Sequence, residues 1–233
     1  SLLKENINPQ DRIIIFLPNG IELIETILSC FEIGAIAVPI STKLSKLERD
    51  KIFKKIQPKI IISSWELKPI LISSSINVAT ISYVEELPNA SHGCSTIKNN
   101  YVPQTNDIAA IILTSGTTNM PKAVQLTYGN FNASCDNWNE FLNFKPKDQF
   151  LCCLPLHHIG GLSVMLRALK FGFSMNLVSS FEAQLVLNTI NKYPTTIISL
   201  VSTMLKRILD LNKGLSILKS LKWILLGGGP SSD

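Results

Sequence analysis

Thr114-Ser115-Gly116-Thr117-Thr118-Asn119-Met120-Pro121-Lys122, entered directly from the apolar run Ile108 to Leu113, is the stretch on which the reading of this chain turns. The short apolar run reads as a buried strand, and strands of that kind end at loops that bind ligands. The loop offers four hydroxyls, a permissive Gly116, a rigid Pro121 and one cation, Lys122. Hydroxyls, exposed backbone N–H groups and a lysine all donate to anionic oxygens, so the loop has the chemistry of a polyphosphate site. It is not the G-x-x-x-x-G-K-[ST] loop, because Ala123 follows Lys122 where that motif needs a hydroxyl.

Working upstream, Ile13 to Leu17 is a second continuous apolar run, Pro18-Asn19-Gly20 a turn, and Ile21 to Ile33 a helix stopped by Gly34. A strand over Ala35 to Ile40 completes a βαβ unit, so the sheet is expected to be parallel. The spacing predicts a helix over Ser45 to Ile56, with Ser45 and Glu48 as a capping box, and a third strand over Lys59 to Ser63. Trp65 to Thr105 reads as small strands and irregular connections, with Ser91 to Asn100 as an exposed loop. Downstream of the loop, Ala123 to Leu126 forms the returning arm of a hairpin, and Thr127 or Asn130 opens a helix that runs to Leu142.

Phe144 to Asp148 is a polar break and the expected boundary between a first α/β subdomain, 1–143, and a second, 144–233. Beyond it the rhythm restarts. Strands are expected over Gln149 to Leu154, Ser174 to Val178, Thr195 to Leu200 and Leu221 to Leu226, and helices over Leu162 to Phe171, Glu182 to Lys192 and Thr203 to Leu211. Pro155 to Gly161 is expected to be a loop. The fold class is therefore α/β: two successive, mostly parallel sheet-and-helix subdomains. The last strand runs into Gly227-Gly228-Gly229-Pro230, and the chain stops at Asp233, so the second unit reads as truncated.

Composition narrows the function classes. The chain has 233 residues, 45% of them apolar, and a formal charge of +5. The lysines at 43, 46, 51, 54, 55 and 59 read as a solvated helix face, since no aromatics interleave with them; nucleic acid is not an expected partner. Cys30, Cys94, Cys135, Cys152 and Cys153 form no C-x-x-C and are odd in number, which points to a reducing, cytoplasmic setting. The longest uncharged stretch, Gln149 to Leu166, is broken by Pro155, two histidines and two glycines, a poor membrane span. Trp65, Trp138 and Trp223 read as packing residues, and Glu85-Glu86 as a surface charge pair.

The hydroxyl-rich loop resembles the T-S-G-T-T-G-x-P-K-G signature of the adenylate-forming superfamily, which includes acyl-CoA synthetases, luciferases and the adenylation domains of peptide synthetases. It matches from Thr114 to Thr118 and again at Pro121 and Lys122. Asn119 and Ala123 stand where that family usually has glycine. Asn tolerates a left-handed backbone, whereas Ala123 forbids one. Leu17-Pro18-Asn19, Gly34 to Pro39 and Leu154 to Leu162 look like further family segments. Val201-Ser202-Thr203, Leu225 to Pro230 and Thr127-Tyr128-Gly129-Asn130 resemble the o-succinylbenzoate–CoA ligase branch, which serves menaquinone biosynthesis.

The resemblance implies a two-step reaction. A carboxylate attacks the α-phosphate of ATP, giving an acyl-adenylate and pyrophosphate, and the CoA thiol then displaces AMP. It implies that Thr114, Ser115, Gly116, Thr117, Thr118 and Lys122 hold the β- and γ-phosphates with Mg²⁺, and that Gly227, Gly228, Gly229 and Pro230 lie against the adenine. His158, rather than His157, takes the place of the family histidine beside the acyl carboxylate and the α-phosphate. Lys122 and His158 are thus the catalytic candidates, with His158, Ser202 and Thr203 at the acyl pocket and no protein metal site within the chain. Plainer roles compete: a strand-to-helix turn for the glycines, helix N-capping for Ser202 and Thr203, and a core position for His158. The family's Mg²⁺-binding Glu, ribose-binding Asp and C-terminal catalytic Lys have no counterpart here, so residues 1–233 alone are not expected to complete the reaction. A ligase for a fatty or aryl acid and a non-catalytic nucleotide-binding remnant are the alternatives, and a homo-oligomer is compatible with each.

Overall fold

The computed structural model describes residues 6–73, 80–87, 101–114, 121–211, 214–219 and 221–229. Its chain divides into two compact units, Ser1–Asn130 and Phe131–Asp233.

The first unit is built on a six-stranded sheet in the order β4-β3-β1-β2-β5-β6. β1 (Arg12–Phe16) pairs in parallel with β2 (Ile36–Pro39) on one side and β3 (Ile60–Ser63) on the other. β4 (Ile81–Tyr83) extends the β3 side and β5 (Ile108–Thr114) the β2 side, both parallel. β6 (Lys122–Thr127) closes the sheet as its antiparallel edge. The strands are continuous apolar runs because both faces are covered. Ile14, Phe16, Ile36, Val38, Ile61 and Ile111 pack with Ile52, Phe53 and Ile56 of α2 (Lys46–Ile56), while Ile13 and Ile15, which alternate to the other face, are equally buried.

The local signals act as expected. α1 (Ile21–Ile33) is closed by Gly34 at φ 74°, a left-handed cap that suits glycine. At α2 the Ser45 hydroxyl accepts from the Glu48 N–H at 3.3 Å, and the Glu48 carboxylate accepts from the Ser45 N–H at 2.8 Å. Arg49 is buried in the same helix; its guanidinium donates to the carbonyls of Leu44 and Ile70 at 2.7 and 3.0 Å. The second of these ties α2 to α3 (Lys68–Ile72).

The second unit carries a four-stranded, wholly parallel sheet in the order β10-β9-β7-β8. The strands are β7 (Gln149–Cys152), β8 (Ser174–Leu177), β9 (Ile197–Val201) and β10 (Trp223–Gly227). The helices are α5 (Ile159–Phe171), α6 (Ala183–Lys192), α7 (Ser202–Leu209) and a short α8 (Gly214–Leu218) that periodicity does not reveal. One core joins Leu151, Cys153, Ile198 and Leu200 of the sheet region to Val186, Leu187 and Ile190 of α6 and Ile208 of α7.

The division between units falls near the start of α4 (Tyr128–Leu142) rather than at the polar break after it. Most of α4 associates with α5. Lys170 pairs with Asp136 at 2.8 Å and bonds the Asn132 side chain, and the Arg167 guanidinium lies 4.9 Å from the Trp138 ring centre. Trp138 thus packs as expected, whereas Trp65, 54% exposed, is largely at the surface, and Trp223 is 40% exposed. Glu85 and Glu86 are more than a surface pair, since they accept from the Trp65 backbone and indole N–H groups at 3.0 and 3.1 Å. Cys30, Cys135, Cys152 and Cys153 are free and buried. Cys94 and the Ser91 to Asn100 loop lie outside the described residues.

Candidate functional site

In the first unit the site is a hairpin mouth. β5 and β6 pair from Ile108↔Thr127 to Thr114↔Lys122, so the first hydroxyl and the lysine of the motif stand opposite each other at the last rung of the ladder. Thr114 and Lys122 are both exposed there. A hydroxyl opposite an ammonium at a solvent-facing strand end presents two donors to an anion. Ser115, Gly116, Thr117, Thr118, Asn119 and Met120 lie outside the described residues, as does the expectation that the loop is exposed and mobile.

Ala123 is resolved by its surroundings. It is an ordinary extended residue in β6, opposite Leu113, and it is not among the residues with positive φ. Its methyl packs against the core formed by the sheet and α2, together with Leu113. The glycine of the family signature is therefore not required for backbone shape at this position; the added methyl gains apolar contact instead.

The Thr127 to Asn130 segment is a helix entry. The Thr127 hydroxyl accepts from the Asn130 N–H at 3.1 Å, and the Asn130 side chain accepts from the Thr127 N–H at 3.0 Å. Both residues proposed as the helix start thus act, as reciprocal partners of one cap. A Cβ on Gly129 would lie 2.6 Å from Thr105 Cγ2, so this motif is explained by packing.

In the second unit three separated segments follow the carboxyl ends of parallel strands of one sheet. β7 connects to β8 on one side, whereas β9 connects to β10 on the other, so the carboxyl ends of β7 and β9 flank the point where the connections diverge. Open α/β sheets bind ligands at such a point. His158 follows β7, Ser202 and Thr203 follow β9, and Gly227 to Gly229 follow or end β10. Register makes the last two neighbours: Gly227 pairs with Val201, and a Cβ on Gly228 would lie 3.0 Å from Val201 Cγ1. Gly228 and Gly229 have φ of 86° and 151°, while the Cβ position of Gly227 meets nothing within 4 Å. Pro230 lies outside the described residues.

His158 sits at the N-cap of α5, which starts at Ile159, three residues earlier than periodicity suggests. Its carbonyl accepts from the Leu162 N–H at 3.0 Å, and its own N–H donates to the Pro155 carbonyl at 3.1 Å. The imidazole does not cap the helix, and the His157 ring lies 4.3 Å from it, centre to centre. His158 is exposed, yet the protein around it still disfavours the cation: desolvation lowers its pKa from the usual histidine value. The neutral imidazole is thus the resting form near neutral pH, able to donate from one nitrogen and accept at the other.

Gly160 and Gly161 belong to α5, not to the loop. A Cβ on Gly161 would sit 2.4 Å from the Pro155 carbonyl oxygen and 2.6 Å from that of Leu154. Only glycine lets the helix start close over the turn that carries His158. Cys152 donates weakly to the Leu154 and Gly161 carbonyls at 3.5 and 3.9 Å. Burial pushes the Cys152 and Cys153 thiols up to about 12, so both are inert spacers rather than nucleophiles.

Ser202 and Thr203 are the first two residues of α7. Val201 is the N-cap, without a side-chain bond, so the capping role considered for these hydroxyls is not the one they have. Ser202 is half-buried and Thr203 exposed at the strand end. Among the described residues no group of three or more His, Cys, Asp or Glu is arranged to hold a metal, and no helix is long and apolar enough to cross a membrane.

The family model for AMP-binding enzymes matches residues 1–233. The chain belongs to the AMP-binding enzyme family. A relative from Bacillus velezensis named 2-succinylbenzoate–CoA ligase is 35% identical over 95% of this chain and 44% of its own length. Two solved structures of o-succinylbenzoate CoA synthetase from Bacillus subtilis are similar throughout. The complex with the acyl-adenylate intermediate matches with a TM-score of 0.84 and 30% identity, covering 99% of this chain and 46% of that one. The complex with ATP and magnesium ion matches with a TM-score of 0.84 and 29% identity, covering 99% and 47%. The chain thus corresponds in fold to the N-terminal part of adenylate-forming enzymes and spans about 45% of the length of the curated relatives it matches. Mostly parallel sheets covered by helices agree with the fold class read from the sequence.

Proposed function

We propose that the protein of which this AMP-binding chain forms a part is an ATP-dependent acid–CoA ligase, and that its acid is o-succinylbenzoate, on the route to menaquinone. The observation that carries the nucleotide part is the ladder register that sets exposed Thr114 opposite exposed Lys122 at the mouth of the signature hairpin. The choice of acid leans on the named relatives and on Ser202 at the end of β9.

On this reading Lys122 neutralises β- and γ-phosphate charge, with Thr114, Ser115, Thr117, Thr118 and the Gly116 backbone completing the grip. Attack by an acyl carboxylate on the α-phosphate brings two anions together, so that charge must be offset and the reactants held in line. Neutral His158 orients the carboxylate by hydrogen bonding, since a neutral imidazole costs little to desolvate. Ser202 and Thr203 wall the acyl pocket, and Gly227 to Gly229 with Pro230 give a flat backbone surface for the adenine. Mg²⁺ supplies further charge neutralisation when bound and enters with the triphosphate. CoA is the second substrate, its thiol displacing AMP. The buried, unpaired thiols suit the cytoplasm as the working compartment.

A pyrophosphate-release screen on the intact natural protein tests the reading. Release with o-succinylbenzoate, dependent on ATP and Mg²⁺, is expected. Release with fatty or aryl acids but not with o-succinylbenzoate would replace the substrate assignment. ATP binding without release for any acid would leave a nucleotide-binding protein.

A further inference from the structure

The lysines over residues 43–59 look like one solvated face, but one of them is engaged. Lys55, in the last turn of α2, donates from Nζ to the Pro121 carbonyl at 2.9 Å, across 66 residues of sequence. The side chains of Lys46, Lys51 and Lys54 of the same helix make no hydrogen bond among the described residues. The Pro121 carbonyl belongs to the peptide that leads into Lys122, the last rung of the β5–β6 ladder.

The platform behind Lys55 is packed into the core. Ile52, Phe53 and Ile56, which surround it in sequence, are at most 4% exposed, and Arg49 anchors the helix to two carbonyls. Ala123, one residue beyond Lys122, packs on the same core. β6, by contrast, is an edge strand, with a neighbour on one side only, and edge-strand ends are weakly held. A tether from a helix anchored in the core to the peptide before Lys122 fixes the backbone from which that side chain departs.

We propose that Lys55 is a positioning residue for Lys122, setting the orientation of the Pro121–Lys122 peptide and thereby the grip on the β- and γ-phosphates. The inference rests on the nucleotide reading given above. It makes Lys55 matter for a triphosphate and not for a monophosphate.

The experiment uses the intact natural protein with Lys55→Met, Lys55→Arg and Lys54→Met. Five quantities are read: KM for ATP and for the acid in pyrophosphate release, Kd for ATP with Mg²⁺, Kd for AMP, and Tm. A charge-assisted but exposed bond predicts that Lys55→Met raises the ATP KM and Kd about fivefold, while AMP Kd and acid KM stay within about twofold. Lys55→Arg restores most of the ATP affinity, and Lys54→Met changes none of these values. Unchanged ATP values in Lys55→Met, or equal losses for ATP and AMP with a fallen Tm, would overturn the proposal. Wild-type protein that binds ATP but releases no pyrophosphate removes the ligase reading alone, because the ATP and AMP titrations still decide the role of Lys55. Wild-type protein that binds no ATP overturns both.

Discussion

The two units solve the problem of presenting a ligand site in different ways. In the first, the candidate phosphate grip is local: Thr114 and Lys122 are eight positions apart and meet because one antiparallel hairpin folds back on itself. In the second, the candidate residues come from three segments, near 158, 202 and 228, that follow parallel strands whose carboxyl ends share one edge of the sheet. A hairpin needs only a turn and a register. A parallel edge needs every crossover helix in place, since parallel strands cannot be joined by a tight turn. The local site is therefore vulnerable to single side-chain changes that leave the fold intact, and the non-local site to packing changes that touch no ligand.

The largest expected effect is on packing in the second unit. Gly161→Ala forces a methyl to 2.4 Å from the Pro155 carbonyl oxygen. A loss of about 3 kcal/mol in stability is expected, as for other overpacked backbone contacts. Denaturant unfolding measures it, and a loss under about 0.5 kcal/mol, the range of an ordinary surface change, would show that the turn carrying His158 does not depend on this contact.

Lys122→Ala is the converse case. Its side chain is exposed, so stability should stay within about 0.5 kcal/mol. If Lys122 grips the phosphates as proposed, its loss should lower kcat/KM for ATP in acyl-adenylate formation by about 100-fold. A variant with near wild-type adenylation would remove the hairpin mouth from the site.

Ala123→Gly sharpens the hairpin side of the contrast. It restores the residue usual in the family signature, yet it removes a methyl from the core and frees an extended backbone. A loss of about 1 kcal/mol is expected from those two terms together. A gain in stability instead would mean that the methyl is strained in β6.

The smallest effect is the pH response of His158. Its pKa is lowered by desolvation, so the folded protein favours the neutral imidazole. As pH falls through about 6.5, the unfolded chain takes up this proton first, so the contribution to stability is present above that pH and shrinks below it. Because the group is exposed, the rate is the better readout: adenylation should persist below about pH 6.5 before its acid limb, and His158→Gln should remove that limb. An unchanged acid limb in the variant would assign the titration to another group.

Element by element, legibility followed locality. Ile21 to Ile33 and the Ser45–Glu48 box were readable because the helix period and the cap lie within a few residues. The start of α5 is hidden in the sequence because Pro155 and two glycines look like a loop, whereas Gly161 lets a helix approach the turn's carbonyls. Size alone suggests burial for Trp65, and only tertiary structure shows that it is instead held from outside by Glu85 and Glu86. Lys55 was hidden for the reason it matters. Nothing near it in sequence distinguishes it from Lys54, and its partner is 66 residues away.

By itself the sequence determined the alternation of strands and helices, the parallel sheet and the signature hairpin, because period, caps and motif spacing are short-range properties of a chain. Only the tertiary structure decided which strand ends share an edge, which glycines answer to a neighbouring backbone, and which lysine of α2 is tied to the hairpin. Those outcomes depend on distances between residues far apart in sequence, and such distances do not exist until the sheets have formed.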